Sequence, residues 1–424
     1  MNKRTNMNKR TNMNKRIILL FLTVIFLGSC KTKGTQIVEA KEAFILPERA
    51  IPIVYRSHIY IKSTIDSISG NYVFDTGADA LCFDSTFYAN NTFPKFKFIK
   101  GLLPGVGTSG GQSIIVITDT INLKFGNYIY KPTPTVVMKL KPILGDFADG
   151  IIGQSYFSEN KYLLEINYFH QYLILHTDTN TVDLSEYTKV KMERRHNRFF
   201  VPTTIQINDT LFIQEDFTLD IGSGGAFSMR AAIAEKYNLH TQIANKVNYY
   251  TKYGGVGGHS SNVCFRANSI EIGGYKLDGV IMDYSEDKSG AMSQSFYSGG
   301  LLGNKILEHF DIVIDFGDST ALYLKPNQNY NKPFKFSKQG FKYVDRSQTL
   351  NAWIVSGFYK ESLAEQSGLQ IDDQIISING TAIREISYEE QQELWEHLDK
   401  VVLVVLRDGK EKRIEFELKP VTQF

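Results

Sequence analysis

From Ala50 to about Leu324 the apolar residues fall in short runs, either continuous or alternating with polar ones. Ile59-Tyr60-Ile61, Ile114-Ile115-Val116-Ile117 and Ile312-Val313-Ile314 are typical. Gly, Asn and Asp punctuate these runs, and the 3.6-residue spacing of a long amphipathic helix is scarce. Runs of this length between turn residues predict strands. Met229 to Leu239 is one of the few helical patterns in the stretch. The fold class expected is therefore mainly β. Lys325 to Lys338, rich in Pro, Asn and Lys, reads as a linker. Beyond it the pattern changes to a mixed α+β one, with Trp353-Ile354-Val355, a helix near Tyr388 to Leu398 and the apolar run Val401 to Leu406.

The β region is doubled. Asp75-Thr76-Gly77-Ala78 recurs as Asp220-Ile221-Gly222-Ser223. The glycine-rich Gly105 to Gly111 recurs as Gly254 to Gly258. Gly150-Ile151-Ile152-Gly153-Gln154 recurs as Gly300-Leu301-Leu302-Gly303-Asn304. Asp220 follows Asp75 by 145 residues, Gly303 follows Gly153 by 150, and Asp315 follows Glu165 by 150. Shared order, spacing and chemistry point to duplication of a β lobe of roughly 130 to 150 residues. The boundaries expected are 49–180 for the first lobe, 186–328 for the second and 338–424 for the last unit.

A carboxylate that must face a second carboxylate needs backbone packed closely behind it, and Gly77 and Gly222 permit that approach. Two carboxyl groups a hydrogen bond apart cannot both ionise cheaply, so such a pair holds one proton. The charged member can take a proton from water while the protonated one polarises a carbonyl. That chemistry needs no metal and no cofactor. The two motifs, each with its glycine-rich segment and its apolar-apolar-Gly strand, resemble the lobes of retropepsin-like aspartic peptidases, two in one chain. The resemblance covers about residues 50 to 325. It implies bilobal aspartic-protease-like β barrels with Asp75 and Asp220 as the catalytic pair. Thr76, Gly77, Ala78, Ile221, Gly222 and Ser223 would shape the active-site loops. Gly105, Gly107, Gly110, Gly255, Gly257 and Gly258 would lie in flaps over an extended peptide. Gly153 and Gly303 would support the loops from below.

Two departures matter. In that family the residue after each Asp usually carries a hydroxyl that bonds across the lobes; Thr76 keeps it and Ile221 does not. Ser223 can donate to Asp220 whereas Ala78 has no hydroxyl for Asp75, so Asp75 is expected to hold the shared proton more of the time. Gly105-x-Gly107-x-x-Gly110 also matches a dinucleotide-binding pattern, but a β run follows it where that pattern requires a helix, so a hairpin tip is expected. Glu165 and Asp315 end apolar strands and read as structural or solvated. His259 reads as a loop residue, since no metal-ligand spacing surrounds it. Cys82 and Cys264 occupy unmatched places in the repeat and read as buried free thiols.

Ser362-Leu363-Ala364-Glu365-Gln366-Ser367-Gly368-Leu369, then Asp372-Asp373-Gln374-Ile375-Ile376-Ser377-Ile378-Asn379-Gly380, resemble a bacterial PDZ domain over about Gly340 to Leu418. The resemblance implies peptide capture by strand addition, with Gly340 and Phe341 in the loop beside the groove.

The N-terminus is basic to Arg16, then apolar from Ile17 to Leu27, the layout of an export signal. It ends in Leu27-Gly28-Ser29-Cys30, which resembles a lipobox with Cys30 as the acylated residue; an ordinary signal peptide with a chance cysteine is the alternative. Residues 1–30 are then a leader and 31–48 a tether. The implied location is the cell envelope, anchored by lipid and facing the periplasm or the exterior. Net charge is +2 with both signs interspersed, which builds no basic field for nucleic acid. The expected partners are a peptide or protein substrate, a PDZ-bound peptide and the membrane. Two further readings stand beside the endopeptidase: an inactive peptide-binding envelope lipoprotein, and a protease that processes only itself.

Overall fold

The computed structural model describes residues 44–103, 111–253, 255, 258–294, 298–317 and 319–421. Strand outweighs helix by 45% to 14%, so the chain is mainly β. The leader with Cys30, most of the tether, and Gly105, Gly107, Gly110 and Gly257 lie outside the described residues.

The doubling is repeated in the topology. In the first half, strand Ile68–Asp75 runs parallel to Gly150–Gly153, which pairs on its other side with Leu81–Asp84. In the second half, strand Phe212–Leu219 runs parallel to Gly300–Leu302, which pairs with Phe227–Met229. The glycines of the inner strands have a direct cause. A Cβ at Gly150 would fall 2.3 Å from the Cys82 carbonyl, and one at Gly300 would fall 2.0 Å from that of Ser228.

The two halves share a sheet and a core. Strand Leu163–Asn167 pairs antiparallel with Phe310–Asp315, placing Ile166 opposite Ile312. One contiguous apolar core takes Phe74 and Ile152 from the first half with Leu219 and Leu302 from the second. Asp315 ends its strand, whereas Glu165, expected at a strand end, is the middle residue of Leu163–Asn167 because the pairing continues to Asn167; both acids are structural. Glu165 accepts from Tyr172 and meets His176 at 2.8 Å, while Asp315 accepts the Gly317 amide at 2.8 Å. Cys82 and Cys264 are free and buried, and burial pushes both thiols up to about 12.

The last unit has its own core, built around Phe341, Trp353 and Trp395. Its sheet nevertheless continues that of the second half. Strand Lys246–Thr251 pairs with Ala352–Tyr359, with Tyr249 opposite Tyr359 and Thr251 opposite Gly357. Gly357 allows this approach, since a Cβ there would lie 2.4 Å from the Tyr250 carbonyl.

Two local expectations need correction. Met229 ends a strand, and the expected helix is two short ones, Ala231–Lys236 and Leu239–Gln242. Asn238 between them has φ +56°, a left-handed conformation that interrupts helical hydrogen bonding. Lys325 belongs to strand Ala321–Pro326, and the segment that follows is packed: Tyr330 and Phe334 rest on the main core.

Because one core serves both halves, truncating Ile312 should weaken the whole β region. Ile312→Ala is expected to cost about 2–5 kcal/mol, read as a lower urea midpoint in far-UV circular dichroism.

Candidate functional site

Asp75 closes strand Ile68–Asp75, level with Gly153 on the neighbouring parallel strand. Asp220 follows strand Phe212–Leu219, and its N–H donates to the Leu302 carbonyl at 2.9 Å. The same architecture thus delivers one carboxyl from each half to the interface. The two side chains are hydrogen-bonded to each other, and both residues are half-buried.

The glycines of the two loops stand behind the opposite aspartates. A Cβ on Gly222 would fall 2.2 Å from the carboxyl carbon of Asp75, and one on Gly77 would fall 2.9 Å from Oδ1 of Asp220. No larger residue fits at Gly222 while the pair stays in contact. Thr76 fastens the halves together. Its hydroxyl donates to the Leu219 carbonyl at 2.6 Å and accepts the Ile221 N–H at 3.0 Å. Ile221 has no reciprocal bond to make, and its side chain is fully buried in the common core.

Burial raises both carboxyls above the ordinary value of 3.8, Asp220 well above it. After burial, the charge of Asp75 and the hydrogen bond to it push Asp220 up further. Asp75 is held back by amide donors: Gly77 N–H at 2.6 Å and Ala78 N–H at 3.1 Å both reach its Oδ1. Asp220 receives one amide, from Gly222 at 3.0 Å. Two amides on Asp75 against one on Asp220 favour charge on Asp75 and the proton on Asp220, the reverse of the assignment drawn from Ser223 and Ala78. The Ser223 hydroxyl accepts from the Gly225 amide at 3.4 Å, and the decisive extra donor is the backbone N–H of Ala78.

Several residues around the pair were not singled out from sequence. Arg198, from the second half, forms an ion pair with Asp79 beside the first loop, and Asn197 donates to the same oxygen at 2.8 Å. The Arg198 charge lowers both carboxyls, less than burial raises them. Gln154 bonds to Asp79 and to the Asn197 carbonyl. Its counterpart Asn304 donates to the carbonyls of Ile221 at 2.8 Å and Ser57 at 3.0 Å. The matched place of Gln154 and Asn304 after the repeated glycine was the available signal for these two. The counterpart of Asp79 is Gly224, and a Cβ there would meet Ser57 and His58. Burial pushes His58 down to about 4, so the imidazole is neutral above that pH.

An apolar wall flanks the first loop. Ala78, Leu103, Ile114, Leu144 and Phe147 are half-buried on a cluster that includes Tyr60 and Ile151. Leu103 and Ile114 belong to the hairpin Phe98–Leu103 and Gln112–Ile117, whose glycine-rich tip is outside the described residues. In the second half, Gly255 and Gly258 lie between strands Lys246–Thr251 and Ser260–Arg266, with φ of 110° and 114°. Among the described residues no group of three or more His, Cys, Asp or Glu side chains is placed to hold a metal.

In the last unit Gly340 has φ +74°, and its carbonyl accepts the Tyr359 N–H at 3.1 Å. Phe341 is not a groove residue by its side chain. It is fully buried, packed edge-on against Trp395 with ring centres 5.6 Å apart.

Residues 332–407 match the family model of the PDZ domain. This part of the chain is a PDZ domain, a module that binds peptides or proteins. No curated protein matches the chain.

Two outcomes follow from this geometry. Thr76→Val leaves the buried Leu219 carbonyl and Ile221 N–H unpaired, at a cost of about 2–5 kcal/mol; Thr76→Ser should restore most of it in the same urea titration. As pH rises from 3.8, the unfolded chain releases protons that the folded pair retains, so folding stability declines. Asp220→Asn keeps that position neutral, and its thermal midpoint should gain on the wild type as pH is raised from 4 to 7.

Proposed function

We propose that this chain is an aspartic-type endopeptidase built from two aspartic-protease-like β lobes, with the PDZ domain recruiting or gating its substrate. The observation that carries the reading is the half-buried, hydrogen-bonded pair Asp75 and Asp220, one carboxyl from each half of a duplicated fold. An isolated binding groove has no use for two carboxyls forced together, because each raises the cost of ionising the other.

The roles follow from the proton. Ionised Asp75 takes a proton from a water held between the carboxyls, and the oxygen of that water attacks the scissile carbonyl. Protonated Asp220 gives its proton to the carbonyl oxygen, so the tetrahedral intermediate forms without separated charge. Collapse passes the proton now on Asp75 to the leaving amine, and the diol proton returns to the pair. The Gly77 and Ala78 amides stabilise the charge on Asp75 between steps. The apolar wall beside Ala78 favours an extended peptide with apolar side chains near the cut.

The export-signal layout of residues 1–30 and the lipobox-like run ending in Cys30 support a cell-envelope location on a lipid anchor. Substrates would then be exported proteins and peptides. Ile221 favours a second reading, an inactive peptide-binding lipoprotein, because the cross-lobe hydroxyl is present on one side only. Thr76 answers it in part by making both cross-lobe bonds itself.

The test is incubation of the purified chain with a mixed peptide pool from pH 4 to 7.5. Wild type should cleave, and Asp75→Asn and Asp220→Asn should each lose at least about 10²–10⁴-fold in rate. A pool left intact by wild type at every pH leaves the binder. A wild-type chain that shortens while the pool survives leaves the self-processing protease. Cleavage undiminished in both variants would end the assignment of the pair.

A further inference from the structure

Among the described residues strand Phe341–Arg346 pairs with a strand, Ala352–Tyr359, along one side, and helix Tyr388–His397 packs beside it through Trp395 and Gln391. A strand edge next to a helix is where a PDZ domain takes an extended peptide. Here the first lobe has already reached the far end of that edge. The Asp146 N–H donates to the Asp345 carbonyl at 2.9 Å, a main-chain bond of the kind an added strand makes. Gly145 permits the approach, since a Cβ there would lie 2.8 Å from the same carbonyl.

The Asp146 side chain completes the hold. Its carboxylate is 2% exposed and accepts from Arg346 Nε at 2.7 Å and from the Thr349 N–H at 2.7 Å, with the Thr349 hydroxyl at 2.8 Å. On the helix side, Arg56 lies between two rings. Its guanidinium carbon is 4.0 Å from the centre of Phe147 and 4.5 Å from that of Tyr388, the first residue of the helix. Tyr388 is also hydrogen-bonded to Ser57. The first lobe therefore touches both walls of the groove at one end.

We propose that Asp146 is an internal latch on the PDZ domain, and that an extended peptide bearing an acidic residue for Arg346 and Thr349 competes with it for the Phe341–Arg346 edge. Such a peptide needs about six residues to run from Gly340 to Asp345. Its arrival displaces two segments that lead directly to the carboxyl pair. Residues after Asp146 enter strand Gly150–Gly153, whose last residue is level with Asp75. The Ser57 carbonyl shares the Asn304 amide with Ile221, the neighbour of Asp220. Peptide capture by the PDZ domain is thus coupled to the two loops. The coupling to catalysis rests on the peptidase reading; the latch itself does not.

The test uses the full chain with Asp220→Asn in every sample, so that no readout depends on cleavage. The probe is a fluorescein-labelled synthetic peptide of the chain's own sequence from Lys141 to Gly150. With the latch opened by Asp146→Ala it should bind at least about tenfold more tightly than to the chain retaining Asp146, because Arg346 and Thr349 are then free to receive its acidic residue and only one main-chain bond still competes for the edge. Adding Arg346→Ala to Asp146→Ala should remove that gain. Circular dichroism melts select variants that remain folded, and Asp146→Asn, which weakens the latch while leaving Arg346 and Thr349 for the probe, should give a smaller gain of the same sign. Equal probe affinity in the folded Asp146→Ala and Asp146-retaining chains would overturn the latch. Hydrogen exchange supplies the coupling arm: saturating probe should speed exchange at residues 150–153 in the Asp146-retaining chain, and unchanged exchange there would overturn the route to the pair. A chain that passes both arms yet never cleaves peptide in its wild-type form keeps the latch and loses the peptidase.

Discussion

Two half-buried carboxyl groups pressed together form an arrangement that the rest of the β region has to sustain. Burial alone disfavours charge on either, and the first charge disfavours the second. The fold meets that cost with backbone amides, two on Asp75 and one on Asp220, and with glycines that let each loop pass behind the other aspartate. Neither half could hold its carboxyl in this state alone. Each loop stands behind the other's aspartate, so the common core and the shared sheet fix the geometry of the pair as well as the stability of the region.

Duplication supplies two loops, and divergence has made them unequal. Thr76 carries both cross-lobe bonds, while Ile221 has turned to the core. Asp79 is held by Arg198, where the other loop has Gly224 against Ser57 and His58. A symmetric pair would share its proton evenly. The unequal count of amides gives this pair a direction, with charge on Asp75 and proton on Asp220. In the peptidase reading, that direction decides which side of the cleft presents the base and which the acid.

Much of this was legible in the order of residues because it lay in local signatures repeated at a fixed distance. Asp-x-Gly and apolar-apolar-Gly each demand a particular close approach of backbone, so their recurrence located both loops and the strands beneath them. The PDZ run was legible for the same reason, its Gly, Asp and Asn marking fixed turns. The position of the proton was not, because it depends on backbone N–H groups, which every residue carries and no side chain advertises. Arg198 escaped notice because its partner Asp79 is distant along the chain and lies outside the repeated pattern. The pairing of Lys246–Thr251 with Ala352–Tyr359 was equally silent: strand edges recognise each other through main-chain groups common to all sequences.

That last pairing changes what the domain boundaries mean. A PDZ unit on a linker would sample many orientations and act on the lobes only by raising local peptide concentration. Here its sheet is an extension of a hairpin of the second lobe. Lys252 pairs with Asp372 and Tyr250 with Glu365 across the junction. Gly357 is required at the crossing because two backbones meet there. On its other edge the same domain is held by the first lobe through Asp146. A module held by both lobes is not an independent arm: the first-lobe segment at Asp146 runs into the strand beside Asp75, and Ser57 shares the Asn304 amide with Ile221. The third unit is therefore better regarded as a structural continuation of the two halves than as an appended binding arm.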